Sequence, residues 1–274
     1  QGGDVFNFVM KMENIPFPDA VRHVADIVGV DVDETESSPE AKKRAALLEL
    51  HRRVATTFHY LLMETENPAY GYLRDRGIAD ETMVAFQLGF APERSRWLFD
   101  FLRKRSYTPE FLKSTGLFSS KYPEISIFRN RAIFPVLDER GKHIAFGGRA
   151  LDENARAKYI NSSETSIYHK KRVLYGLHQA LSSIRSTKTA YVLEGYIDVL
   201  ATVQAGIPNA IAPLGTAFTD EHAQLVRRNA DRVVFVFDPD QAGARAAFRG
   251  AIAAEKVGLE ARGVVLPPGQ DPAD

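Results

Sequence analysis

The chain has 274 residues, 45% of them hydrophobic, and no cysteine; it can bury substantial cores, suggests two domains, and excludes a disulfide framework or thiolate metal site. No apolar run of about eighteen residues and no signal-peptide pattern occurs, so it reads as soluble and cytoplasmic, with no membrane partner. Its 35 Lys/Arg and 35 Asp/Glu cancel, yet Arg94 to Lys188 holds 19 Lys/Arg against 8 Asp/Glu, a balance of +11 that the rest offsets, and such a basic stretch points to nucleic acid.

Residues 1–31 contain a mixed apolar segment from Val5 and then Val21, Val24, Ala25 and Val28 at helical spacing, with Gly29 as a stop. That is too little to fold alone. Residues 32–40 are acidic and polar and read as a linker. A helix is predicted over 41–64, with Ala45, Leu48, Val54, Phe58, Leu61 and Leu62 on one side. His51 and His59 lack the HExxH spacing of a zinc hydrolase and read as ordinary helix residues. The helix over 69–78 closes on Gly77 with arginines in its last turn, and a short helix then leads to 87–92. Two more are predicted over 97–104 and 110–115.

The middle turns β-like. Strands over 127–136 and 143–150, joined by a turn at 138–141, form a hairpin that carries Arg129, Arg131 and Arg149. Arginines on a sheet can merely solvate an edge. Near the pair Gly147-Gly148, where backbone can approach a ligand, they read instead as facing phosphates. Lys158 beside Tyr159 suits a phosphate plus a stacked base. His169-Lys170-Lys171-Arg172 adds charge before a turn at Tyr175-Gly176.

From about 184 onward strands and helices alternate: strand 190–193, helix 196–205, strand 209–212, helix 219–229, strand 232–237, helix 242–256 and strand 261–266. This implies a mostly parallel sheet with right-handed crossovers. Two strands end in acids. Glu194 follows the first, with Asp198 four residues later in the next helix; Asp238 and Asp240 follow the third, around Pro239. Asp238 and Asp240 project to one side at a carboxyl end, where open α/β sheets bind ligands, and they repel each other unless a cation intervenes. The alternative is structural: Asp240 as an N-cap, Asp238 as turn chemistry, Asp198 paired with the helix dipole. Because two strands end this way, a shared divalent metal is the reading taken.

Glu194-Gly195-Tyr196-Ile197-Asp198, Leu214-Gly215-Thr216-Ala217, Asp238-Pro239-Asp240 and Asp271 resemble the Toprim domain of primases, topoisomerases and some nucleases. Tyr72 to Gly77, Phe128-Arg129-Asn130-Arg131, Phe146-Gly147-Gly148-Arg149, Lys158 to Ser162 and His169-Lys170 narrow the resemblance to DnaG-type replicative primases, over nearly the whole chain. The resemblance implies an α+β basic subdomain (41–185) followed by an α/β Toprim domain with a mostly parallel sheet (186–274). Residues 1–31 would be the tail of a zinc-binding domain whose ligands lie upstream, so zinc is expected only there. A domain that binds the replicative helicase would lie downstream.

The implied activity is synthesis of an RNA primer from ribonucleoside triphosphates on a single-stranded DNA template, using Mg2+, with Mn2+ able to substitute. Glu194, Asp238 and Asp240 would be the catalytic acids and metal ligands, and Asp198 and Asp271 further ligands or support. Arg76, Arg129, Arg131, Arg149, Lys158 and Lys170 would hold template and nucleotide, with Tyr159 stacking a base. Two positions depart from the family pattern. Pro239 stands where glycine is common, and the last acidic motif reads Asp271-Pro272-Ala273-Asp274 rather than Asp-Pro-Asp. The competing readings are a Toprim nuclease or topoisomerase fragment, which as a topoisomerase would need a nucleophilic tyrosine elsewhere, and a non-catalytic nucleic-acid-binding module.

Overall fold

The computed structural model describes residues 4–13, 15–28, 38–264 and 266, and the chain divides into two units, 1–46 and 47–274. In the first unit, α1 (Val5–Glu13) begins where the Asp4 carboxylate accepts the Asn7 N–H at 2.8 Å. It pairs with α2 (Phe17–Val28), the Phe6 and Phe17 rings meeting edge to face at 5.8 Å. The stop expected at Gly29 and residues 32–37 of the expected linker lie outside the described residues. Its last two residues, Pro39 and Glu40, already belong to α3 (Pro39–Glu64), because Ser38 Oγ accepts the Ala41 N–H at 3.0 Å and proline suits a first helical position.

Along α3 the buried stripe is Leu47, Leu50, His51, Val54, Ala55, Phe58 and Leu62. It is turned slightly from the expected one, with Leu48 and Leu61 only partly buried. Next come α4 (Pro68–Asp75), α5 (Asp80–Ala85), β1 (Gly89–Ala91), α6 (Trp97–Arg103) and α7 (Pro109–Lys113). Asn67 caps α4 through the Ala69 and Tyr70 N–H groups, and Gly77 closes it at φ +75. The hairpin is β2 (Arg131–Leu137) and β3 (His143–Ala150), followed by β4 (Tyr159–Asn161); the four strands form an antiparallel sheet in the order β1-β2-β3-β4. β2 starts four residues later than expected, so Arg129 stands on the loop before it.

The second sheet contains β5 (Leu174–Tyr175), then α8 (Leu177–Thr187), β6 (Thr189–Val192), α9 (Tyr196–Gln204), β7 (Ala210–Pro213), α10 (Asp220–Arg227), β8 (Arg232–Val236), α11 (Gln241–Lys256) and β9 (Glu260–Val264). Its order is β5-β7-β6-β8-β9, parallel except for β5. The expected alternation is present, but β5 precedes the boundary expected at 185/186 and α8 runs across it. They pack with the second sheet: Leu174, Leu177, Ala180, Leu181 and Ile184 share one core with Val192, Ile211, Val233 and Phe235. A second core joins the sheets, with Phe134, Val136 and Ala145 against Tyr196, Val199, Leu200 and Ala212. No helix among the described residues is long and apolar enough to cross a membrane.

Two histidines inside this architecture make it acid-sensitive. His51 donates from Nδ1 to the Leu47 carbonyl at 2.8 Å, and His143 from Nε2 to the Gln87 side-chain carbonyl at 2.6 Å. Burial holds both imidazoles down at about 4. The unfolded chain therefore takes up protons from about pH 6.5 downward that the folded chain refuses until about pH 4. Stability is complete above that window and falls through it, by on the order of 3 kcal/mol per histidine. Denaturant midpoints at pH 7.5 and 4.5 check this, and His143→Gln should flatten the difference.

Candidate active site

β6 lies between β7 and β8. The chain leaves β6 through α9 toward β7, then crosses back through α10 to β8 and moves on to β9. Right-handed crossovers in opposite directions put α9 and α11 on opposite faces. α9 accordingly packs in the core shared with the first sheet and α11 in the other. The carboxyl ends of β6 and β8 thus flank a crevice where the strand order reverses, the usual ligand position in such sheets. Glu194 and Asp238 each stand two residues past one of those ends.

The two are joined directly: Glu194 Oε1 accepts the Asp238 N–H at 2.9 Å. Gly243 permits the approach, since a Cβ there would lie 2.3 Å from the Asp238 carbonyl oxygen and 3.0 Å from Glu194 Oε1. Asp240 caps α11, its Oδ1 accepting the Gly243 N–H at 2.7 Å, and Asp198 Oδ2 accepts the Gly195 N–H at 2.8 Å. The capping role weighed for Asp240 is therefore present, and Asp198 stands in the first turn of α9, where the helix dipole favours an acid. Partial burial of its carboxyl, and then the charges of Asp238 and Asp240, push Glu194 above the usual carboxylate range against the opposing hydrogen bond, although the residue keeps an exposed face. Such mutual repulsion among hard oxygen donors fits a divalent cation. Among the described residues, however, no three or more His, Cys, Asp or Glu side chains are gathered into a ready metal cage. Asp271 and Asp274 lie outside the described residues.

A column of cations and aromatic rings reaches this crevice from the first sheet. The Arg149 guanidinium sits 5.5 Å from the centres of both the Tyr72 and Tyr159 rings, with Arg76 5.8 Å from Tyr72. Tyr159 stacks on Tyr196 at 6.1 Å. Tyr196 donates its hydroxyl to Asn161 Oδ1 at 2.6 Å, and Asn161 Nδ2 donates to the Leu214 carbonyl at 2.9 Å. Tyr196 opens α9 directly after Glu194-Gly195, so one turn carries both the acid and the foot of the column. Arg76, Arg129, Lys158 and Tyr159 are exposed. Tyr72, Tyr196 and Asn161 complete the column; all three stand within the motifs quoted above, but nothing in spacing alone singles them out.

The family model described as DNA primase catalytic core, N-terminal domain, matches residues 57–181, and a Toprim-like model matches 191–274. A structure of the DnaG primase catalytic domain bound to ssDNA is 35% identical, with TM-score 0.77, over 85% of this chain and 77% of that one. The chain belongs to the DnaG primase family. The Aquifex aeolicus primase structure, comprising zinc-binding and RNA polymerase domains, is 32% identical with TM-score 0.78, covering 100% of this chain and 66% of that one. The DNA primases of Listeria monocytogenes and Treponema pallidum are 36% and 39% identical, each across 100% of this chain and 46% of their own length. The chain thus spans about half the length of the curated relatives it matches. Toprim and primase families are metal-dependent.

Within this member of the family, Pro239 fits its place. The amide the loop uses is that of Asp238, one residue earlier, and Pro239 itself is exposed. Arg131 is the correction. It is buried, with Nη1 donating to the Gly148 and Lys158 carbonyls and Nη2 to the Ala157 carbonyl, all at 3.1 Å. Burial, then Arg149 and Arg129, lower its pKa. It ties β3 to the segment entering β4 rather than facing phosphates. The glycine pair also has a packing role: a Cβ on Gly147 would strike Tyr196, and one on Gly148 would strike Phe128 and the Arg131 stem. Arg131→Ala is expected to cost about 3 kcal/mol of stability by leaving carbonyls unpaired. Its folded fraction should keep the parental salt dependence of DNA binding, which Arg129→Ala should lower; a salt titration on both separates the roles.

Proposed function

We propose that the chain is the RNA-polymerising core of a primase, extending a ribonucleotide primer on single-stranded DNA by attack of a 3′-hydroxyl on the α-phosphate of an incoming ribonucleoside triphosphate. The observation that carries this is the turn Glu194-Gly195-Tyr196, which joins acids at a switch point to a column of cations and rings suited to phosphates and bases. Glu194, Asp238 and Asp240 would hold Mg2+, with Mn2+ substituting and Asp198 and Asp271 in support. The bound ion would favour deprotonation of the attacking hydroxyl and offset charge on the phosphates. Arg149, fixed between two rings, needs little ordering to grip a phosphate, and exposed Arg76, Arg129 and Lys158, with half-buried Lys170, extend the basic surface. Tyr159, itself exposed, would stack a base.

In the full-length protein, residues 1–31 would continue a zinc-binding module, and a later domain would meet the replicative helicase, all in the cytoplasm. Extension of a pre-annealed primer with ribonucleotides and Mg2+ or Mn2+ tests the reading. Template-dependent incorporation is expected. Metal-dependent DNA cleavage without incorporation would favour the nuclease class. DNA binding with neither activity, and no metal affinity, would leave only a binding module.

A further inference from the structure

The acids occupy only part of the carboxyl edge. β5 runs antiparallel to β7 with Leu174 opposite Pro213. The 3-10 turn Lys170–Arg172, just before β5, therefore lies beyond the carboxyl end of β7, on the same edge as Glu194. In the order β5-β7-β6 it is two strands from Glu194, on the order of 10 Å. A triphosphate chain can bridge that gap.

What holds this turn comes from α10 and the residue before it. His222 Nε2–H donates to the Lys170 carbonyl at 3.0 Å, and the Thr219 hydroxyl donates to the Lys171 carbonyl at 3.0 Å. The two side chains also lock each other. Thr219 Oγ1 accepts the His222 N–H at 3.1 Å, and His222 Nδ1 accepts the Thr219 N–H at 3.2 Å. Because Nδ1 must accept, the proton is fixed on Nε2, where it meets Lys170. His222 is fully buried, with its ring 5.7 Å from that of Phe218. An ordinary capping box would satisfy only the helix end. Here each side chain has a second hydrogen bond, and both reach the basic turn.

We propose that Thr219 and His222 are positioning residues, which fix the Lys170–Arg172 turn so that Lys170 meets the phosphates of the incoming ribonucleotide; this rests on the primase reading above. They touch no reacting atom. Their loss should therefore weaken nucleotide engagement and spare the chemical step.

The test is steady-state primer extension with varied ribonucleotide. Thr219→Val and His222→Leu are expected to raise KM about tenfold with kcat within about threefold, and Thr219→Ser and His222→Gln to recover most of the loss. Lys170→Ala combined with Thr219→Val should show a KM no higher than Lys170→Ala alone, since the effect passes through Lys170. If His222→Leu does not fold, the Thr219 Val/Ser pair decides. A folded Thr219→Val enzyme with parental KM, with lowered kcat at constant KM, or with an effect additive to that of Lys170→Ala overturns the inference. Absence of incorporation by the parent protein overturns the primase reading itself.

Discussion

Glu194→Gln is expected to reduce template-dependent incorporation by at least about 10²-fold while the protein folds and melts like its parent. The substitution keeps a side-chain carbonyl at the position that accepts the Asp238 N–H, so the link between the ends of β6 and β8 survives. What disappears is one negative charge among three. Glu194 is held above the usual carboxylate range by burial and by Asp238 and Asp240, so neutralising it removes repulsion, and the melting temperature should hold or rise slightly. Glu194→Ala serves as the contrasting control, losing charge and hydrogen bond together, at about 1 kcal/mol for the bond. Activity lost in the Gln variant at parental stability would make the charge the essential feature. A Gln variant that extends primers at the parental rate would remove Glu194 from the chemistry and leave it a strap between two strands.

The parts of this site that were legible from sequence are those whose physics is local. The run Val233 to Phe237 ending at Asp238 could only be a buried strand with acids at its carboxyl end, and the place of Asp240 just before the helix expected from 242 already suggested the cap. Harder were β1 and β4, three residues each, which exist only because β2 and β3 offer them edges. α8 follows Gly176 at φ +77 rather than a side-chain cap, so its start carried a turn signal but no helix signal. Arg131 was misread because β2 is buried on both faces over Arg131 to Val136, and alternation then cannot say which side faces solvent. Nothing near Gly147 in the chain announces Tyr196, and no local pattern pairs Glu194 with the Asp238 amide. These contacts come from the crossover topology, which alternation predicts only in outline.

The remaining large effect follows from one of those non-local contacts. Gly147→Ala should destabilise the protein by roughly 2–3 kcal/mol, lower its melting temperature by roughly 5–10 °C, and reduce primer extension at temperatures where it remains folded. The new Cβ would lie 2.2 Å from both Cζ and the hydroxyl oxygen of Tyr196. That ring has little room to retreat: it stacks on Phe134 at 4.7 Å, meets Tyr175 edge-on at 4.6 Å, and is tied through its hydroxyl to Asn161. Movement would be passed to the backbone that opens α9, two residues from Glu194, and to Tyr159 above the ring. Gly71→Ala is the matched control. It lies on the exposed face of α4 with nothing within 4 Å of a new Cβ, and should stabilise by about 0.5–1 kcal/mol. The same added methyl thus has opposite signs at two glycines, read by thermal melts on both variants. A Gly147→Ala protein that melts with its parent would mean that the ring is not wedged, and the mechanical tie between the basic column and the acidic turn would fall with it.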